Sequence, residues 1–148
     1  MNNNPAKLFL RRYRAALQRA ESLQRAIDEA RNMAISISIQ LKPDKVQTSG
    51  GHDLMESAII RAADATVVLD EQLRGANAVL TEVLEAISAV PDEMQKTVLT
   101  LRYVEGLPWI TVSERIHYEE RMTFMIHGKA LVAVNNWLKK SAGKCSCQ

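Results

Sequence analysis

Cys145-Ser146-Cys147, flanked by Lys139, Lys140 and Lys144, is the densest cluster of reactive side chains in the chain. Two thiolates furnish half of a tetrahedral zinc site, so the pair cannot close one within a single chain. His52, His117 and His127 are dispersed and lack metal-ligand spacing. His127 is expected to pack or hydrogen-bond inside a helix. The sequence holds no phosphate-cradling glycine loop and no dinucleotide fingerprint. It also shows no Ser/His/Asp or Cys/His arrangement suited to nucleophilic attack. No metal, no cofactor and no enzymatic activity is therefore expected. The remaining chemistry lies in cations: Lys7, Arg11, Arg12 and Arg14 near the start, and Arg115, Arg121 and Lys129 near the end. Guanidinium forks and ammonium groups suit phosphates and guanine edges.

The elements that carry these groups follow from composition and periodicity. The 148 residues are 47% hydrophobic, enough to build a core, and 24% charged with a net of +2. That is not the balance of a polybasic nucleic-acid coat. Aromatics make up 5%, with 6 Gly and 4 Pro, which argues against sandwiches and barrels. Two Cys exclude a disulfide scaffold. No apolar run approaches the ~18 residues of a membrane span. The Met1-Asn2-Asn3-Asn4-Pro5 start lacks a secretory pattern. The expectation is an all-α, cytoplasmic protein.

Asn4 and Pro5 suit an N-cap and a first helical position. From there an apolar stripe runs Phe9, Tyr13, Ala16, Ala20, Leu23, Ile27, Ala30, Ala34, Ile37, Leu41 in alternating steps of four and three. That is a heptad seam, predicting a helix over about 5–41. The Ile35-Ser36-Ile37-Ser38-Ile39 stretch alternates like a strand, but the heptad passes through it in phase. Lys42 to Gly51 reads as a connection, with Pro43, Ser49, Gly50 and Gly51. Asp53 with Glu56 has capping-box spacing. A second seam runs Met55, Ile59, Ala62, Thr66, Leu69, Leu73, Ala76, Leu80, Val83, Ile87, Val90, predicting a helix over about 53–90. Two such helices, each roughly 50–55 Å long, should fold back on each other as a long antiparallel hairpin over 1–90.

Charge agrees with that pairing: residues 1–42 carry +5, 43–91 carry −5 and 92–148 carry +2. The basic first helix has two readings. It is a nucleic-acid arm, or its cations pair with acids such as Glu82 and Glu85; the second is preferred. Ala58, Ala65, Val68 and Val79 add a second stripe that one partner helix cannot cover. The C-terminal domain or a second copy of the chain must pack there.

Pro91 marks a boundary. Asp92 and Gln95 repeat the capping-box spacing. A helix to about Val104 stops at Gly106, and Pro108 opens another through Ile116. After a tight turn at His117-Tyr118, a third helix runs from about Glu119 to Leu138. This is the layout of a helix-turn-helix over 91–140, with 141–148 as a flexible tail.

Leu101-Arg102-Tyr103-Val104-Glu105-Gly106-Leu107-Pro108-Trp109, continuing through Val112, Ile116, Tyr118, Ile126, Ala130 and Leu131, resembles the promoter-reading C-terminal domain of bacterial sigma factors over about 45 residues. Those last six positions fall where that domain keeps its core. A second likeness spans nearly the whole chain. Asp44-Lys45-Val46-Gln47-Thr48-Ser49-Gly50-Gly51-His52-Asp53, then Arg102-Tyr103, Trp109 and Ile126-His127-Gly128-Lys129-Ala130-Leu131, is similar to small phage and prophage proteins of Gram-positive bacteria. These are late-transcription activators of the RinA and ArpU kind. The resemblance implies a phage or prophage transcriptional regulator that binds double-stranded DNA and acts with RNA polymerase. Nothing before residue 90 resembles a promoter-melting domain, so a complete sigma factor is not expected.

In a helix-turn-helix the first two turns of the last helix reach base edges. The exposed positions there would be Glu119, Glu120, Arg121, Phe124 and Met125, with Gly128 and Lys129 further on. Arg121 can fork onto guanine or a phosphate; Arg115 and Lys129 suit phosphates. Folding back the hairpin would bring Lys7, Arg11, Arg12 and Arg14 to the same end as further phosphate contacts. Thr123 takes an apolar core position of the sigma domain, so its hydroxyl should point inward. The chain departs from the sigma pattern at Glu119, where a Ser or Thr cap is usual. It also departs at Met122, Phe124 and Met125, where basic and amide side chains are usual. Those three either touch thymine methyls or bury against the first helix or a dimer mate. The expected function is sequence-specific DNA binding in transcription control, as a homodimer through the hairpin. The alternative is a helical adaptor that binds polymerase or another protein without reading DNA. A weaker third reading is a small DNA-packaging recognition subunit.

Overall fold

The computed structural model describes residues 4–40 and 49–144. Every described element is a helix: α1 (Pro5–Gln40), α2 (Ser49–Ser88), α3 (Glu93–Leu99), α4 (Trp109–Ile116) and α5 (Glu120–Lys144). Among the described residues there is no strand, and no helix is long and apolar enough to cross a membrane. The chain forms two compact units. One joins the residues up to Ala15 with those from Ala76 onward; the other is Ala16–Gly75.

Within Ala16–Gly75, Ala20, Leu23 and Ile27 of α1 pack with Ala65 and Leu69 of α2. Ala20, Leu23, Ile27 and Leu69 are seam positions at heptad spacing, whereas Ala65 belongs to the second α2 stripe and packs here too. The Ile-Ser alternation at 35–39 is helical, as its phase requires. Ser36 spends its hydroxyl on the Asn32 carbonyl at 3.0 Å. Thr66, the polar intruder in the second seam, does the same to Ala62 at 2.8 Å. The expected connection falls largely on 41–48, outside the described residues. α2 begins at Ser49, four residues ahead of the expected Asp53, so Asp53 and Glu56 lie inside the helix.

The larger of the two cores in the unit that joins the residues up to Ala15 with those from Ala76 onward draws on α1, α2 and the C-terminal helices. Ala6 and Leu10 of α1 and Val83, Ala86, Ile87 and Val90 at the end of α2 pack with Leu99, Tyr103, Ala130, Leu131 and Val134. The part of the second α2 stripe that Val79 represents packs against this core. In the other unit Val68 of that stripe stays exposed, as do Ile59, Ile60, Val67 and Leu73. Asn4 caps α1 by accepting from the Ala6 N–H at 3.0 Å. Asn135 of α5 reaches the same N–H at 2.9 Å and donates to Asn4 Oδ1 at 2.9 Å. Asn4 has the residue type and place of a cap, whereas Asn135 reaches it only through the fold.

Pro91 ends α2, and Asp92 opens α3 by accepting from the Gln95 N–H at 2.9 Å. α3 widens into a π-helical turn at Thr100–Val104. Gly106, at φ +76, then reverses the chain. The Leu107 N–H closes the reversal on the Leu101 carbonyl at 3.0 Å. A second, smaller core of Val98, Leu101, Val112 and Ile116 joins α3 to α4, with Ile126 of α5 packed on it. α5 continues to Lys144, so residues 141–144 are helical rather than the start of a tail; 145–148 lie outside the described residues.

Two glycines make a contrasting test. A Cβ on Gly106 would sit 2.6 Å from Arg14 Cζ in a left-handed backbone. Gly106→Ala should therefore lower unfolding stability by about 1–2 kcal/mol. A Cβ on Gly75, mid-helix, meets nothing within 4 Å. Gly75→Ala should raise stability by about 0.5–1 kcal/mol. Urea unfolding of the two variants checks both signs.

Candidate functional site

The α4–α5 connection is a tight reversal. Pro108 leads into α4 in extended conformation, and α4 ends at His117, whose φ of 58 is left-handed. The His117 and Tyr118 N–H groups return to the Glu114 and Ser113 carbonyls at 3.2 and 3.1 Å. A buried hydroxyl pair holds the two helices in register. Thr123, with no exposure, donates to the Glu119 carbonyl at 3.1 Å, and Ser113 Oγ lies 3.0 Å from Thr123 Oγ1. The inward hydroxyl expected of Thr123 is present, and Ser113 is the partner it needs.

The positions proposed to meet base edges divide into groups. Glu119, Glu120 and Arg121 are exposed at the start of α5, and Gly128 and Lys129 further along it. Arg121 and Lys129 have no ion-pair or hydrogen-bond partner among the described residues. Met125 is 52% exposed and Met122 44%. Neither is buried against α1. Phe124 is half-exposed, with its ring 4.9 Å from that of Trp109. Tyr118, which the sigma resemblance puts in the core, is 45% exposed. It sits on the short stretch between His117 and α5, whose tight reversal turns the ring outward.

Three arginines hold the connection between α3 and α4. Arg102 donates to the Leu107 carbonyl at 2.7 Å and lies over the Trp109 ring at 4.9 Å. Arg115 bonds Glu105 at 2.8 Å. Arg14 packs its guanidinium where a side chain on Gly106 would be. The motif residues Arg102, Glu105, Gly106 and Trp109 are thus explained by how this bend is built. Arg115, expected on a phosphate, is engaged inside the chain, and so is Arg12, which pairs with Glu82 at 3.0 Å. Among the described residues that is the one pairing formed of those expected with Glu82 and Glu85. Both are exposed pairs worth well under about 1 kcal/mol, so an incoming phosphate can divert either arginine.

Lys7 and Arg11 have no ion-pair or hydrogen-bond partner among the described residues. Their position follows from α1 geometry. Ala6, Leu10 and Tyr13 face the core; Lys7, Arg11 and Arg14 each follow by one residue and so lie about 100° round the helix. Burial of the first stripe fixes where the cationic one emerges.

Beneath that stripe lies a polar pair with no signature in the sequence. Tyr103, 3% exposed, has its hydroxyl 2.9 Å from His127 Nε2. His127 is 7% exposed, with its ring centroid 4.7 Å from that of Trp109 in an edge-on arrangement. His127 does pack and hydrogen-bond, as expected, but with the π turn after α3 and with α4 rather than within its own helix. Burial pushes its pKa down to about 4, helped by the nearby Lys7, Arg102 and Arg11. Burial likewise raises the Tyr103 pKa. The imidazole is therefore neutral at pH 7. Among the described residues no three His, Cys, Asp or Glu group to hold a metal ion.

This pair predicts a pH dependence of stability. The unfolded chain takes up a proton near pH 6.5 that the folded His127 refuses until about pH 4. Stability is thus full above pH 6.5 and falls as the pH drops through that window. At about 1.4 kcal/mol per pH unit, the loss by pH 5 approaches about 2 kcal/mol. Urea unfolding between pH 7 and 5 should show this slope. The doubly apolar variant Tyr103→Phe with His127→Phe should lose it; an unchanged slope there would assign the effect elsewhere.

Comparison of the chain with protein families, with curated proteins and with solved structures finds no match in any of the three.

Proposed function

We propose that this chain is a sequence-specific DNA-binding transcriptional regulator of phage or prophage type. In this reading α1 and α2 form an antiparallel hairpin, and α3 to α5 form a sigma-like helix-turn-helix. The observation that carries it is the surface at the start of α5. A left-handed turn and a buried hydroxyl clasp lock α5 onto α4. Its first turns then face outward with Arg121 unpaired. Lys7 and Arg11, also unpaired, belong to the same compact unit. Arg121 would read a guanine or grip a phosphate. Lys7, Arg11 and Lys129 would add phosphate contacts, and Arg12, Arg14 and Arg115 could be recruited to them. The resemblance to RinA- and ArpU-like activators points the same way, to action beside host RNA polymerase in the cytoplasm. A homodimer accounts for the exposed Ile59, Ile60, Val67, Val68 and Leu73 of α2.

A second reading has its own support. Ile110, Tyr118, Met122 and Met125 are all more than 40% exposed at the α4–α5 end, beside Glu114, Glu119 and Glu120. An apolar patch rimmed by carboxylates suits a protein surface better than a phosphate backbone. In that reading the chain is an adaptor that binds RNA polymerase through α4 and α5.

Selection from a random duplex pool, followed by salt titration of the best binder, separates the two. A regulator that reads DNA should enrich one motif and lose affinity steeply as salt rises. Arg121→Ala should cost it about 1–3 kcal/mol and relax one base position. A palindrome with half-sites about one helical turn apart would indicate a dimer. No enriched motif, together with capture of purified RNA polymerase that Met125→Glu abolishes, would establish the adaptor instead.

A further inference from the structure

A cleft of about 350 Å³ opens between the start of α1 and the α4–α5 face, lined by Asn4, Lys7, Trp109, Phe124, His127 and Leu131. Its chemistry is one-sided. Trp109 and Phe124 form an aromatic wall with ring centroids 4.9 Å apart. No lining residue is acidic. Lys7 has no anionic partner among the described residues. Asn4 Oδ1 is occupied by the Ala6 N–H and by Asn135, which leaves its amide NH₂ to donate. His127 bonds Tyr103 through Nε2. Among the described residues every buried side-chain nitrogen or oxygen has a partner. Nδ1 of His127 has no partner among the described residues, and His127 lines the cleft.

We propose that this cleft binds a small planar anion, an aromatic ring carrying one carboxylate. The ring lies on Trp109 and Phe124, and the carboxylate meets Lys7, the Asn4 amide and Nδ1–H of His127. A carboxylate there selects the imidazole tautomer in which Tyr103 donates to Nε2 and Nδ1 donates outward. The Arg11 and Arg102 charges felt at His127 add to the positive field. The proposal stands whether or not the unit binds DNA.

Benzoate is the probe, with benzamide as the uncharged analogue of the same shape and inorganic phosphate as an anion without a ring. NMR of the full-length protein supplies an internal control. Its two tryptophans give two indole N–H signals: Trp109 on the cleft, and Trp137, whose ring packs at a tilt against Phe9. Benzoate should move the Trp109 signal saturably, with a dissociation constant on the order of 1 mM for a ligand of about ten heavy atoms. Trp137 should stay in place, and benzamide and phosphate should bind at least about tenfold more weakly. Lys7→Ala should weaken benzoate about tenfold. Lys7→Arg should retain most of the affinity, and Lys139→Ala, outside the cleft, should change nothing. Equal effects of benzamide would remove the anion from the proposal, and equal effects of phosphate would remove the ring. Parallel movement of both indoles, or no movement of Trp109 to about 20 mM benzoate, would overturn it.

Discussion

Leu10 is fully buried, in a core whose other members lie mostly in the second half of the chain. Val83, Ile87 and Val90 precede Pro91; Leu99, Tyr103, Ala130 and Val134 follow it. Burying one leucine contributes about 1.5–3 kcal/mol, and Ala6, Leu10 and their neighbours act together. The first two turns of α1 are therefore part of the module that carries α3, α4 and α5. This sets where the basic residues go. With Ala6 and Leu10 inward, Lys7 must border the α4–α5 cleft and Arg14 must meet the bend at Gly106.

Polar contacts convert this apolar association into a defined geometry. Asn4 and Asn135 join the start of α1 to α5. Ser113 and Thr123 join α4 to α5, and Tyr103 and His127 join the π turn after α3 to α5. A core of Leu, Val and Ala tolerates sliding; a hydroxyl or amide that must find its partner does not, because an unpaired buried polar group costs about 1–3 kcal/mol. All three contacts end on α5, the helix whose outward face the proposed function uses. The neutrality of His127 belongs to the same design: a charged imidazole in that position would face Lys7, Arg11 and Arg102.

The helical class and most boundaries were readable from the residues. Asn4-Pro5, Pro91-Asp92, Gly106 and His117-Tyr118 are strong local signals, and each sits at an element end. Heptad spacing picked out Ala20, Ile27, Leu69, Val83 and Ile87, all buried. It missed Ala6 and Leu10, because they face the C-terminal helices and lie off the seam that pairs α1 with α2. The start of α2 was misplaced because Gly50 and Gly51 suit a turn and a helical first turn alike. Tyr118 and Asn135 depended on tertiary geometry that no spacing encodes. At the candidate site, Arg121, Glu120 and Met125 are exposed as expected and Arg12 pairs with Glu82, the preferred reading of the basic helix, whereas Arg14 and Arg115 have contacts within the chain that no spacing signals. Which cation finds a carboxylate or a bend depends on distances set by the fold.

The most direct measurement of whether α1 belongs to the C-terminal module is amide hydrogen exchange on the full-length protein and on Leu10→Ala. If one core holds the unit, the amides around residues 10–14 open with the same free energy as the slowest ones in α3 and α5. Leu10→Ala should then lower that value by about 2–5 kcal/mol in all three segments together. Fast exchange at the start of α1 while α3 and α5 stay protected, or a loss confined to α1, would contradict the shared core and the placement of Lys7 and Arg14 that follows from it.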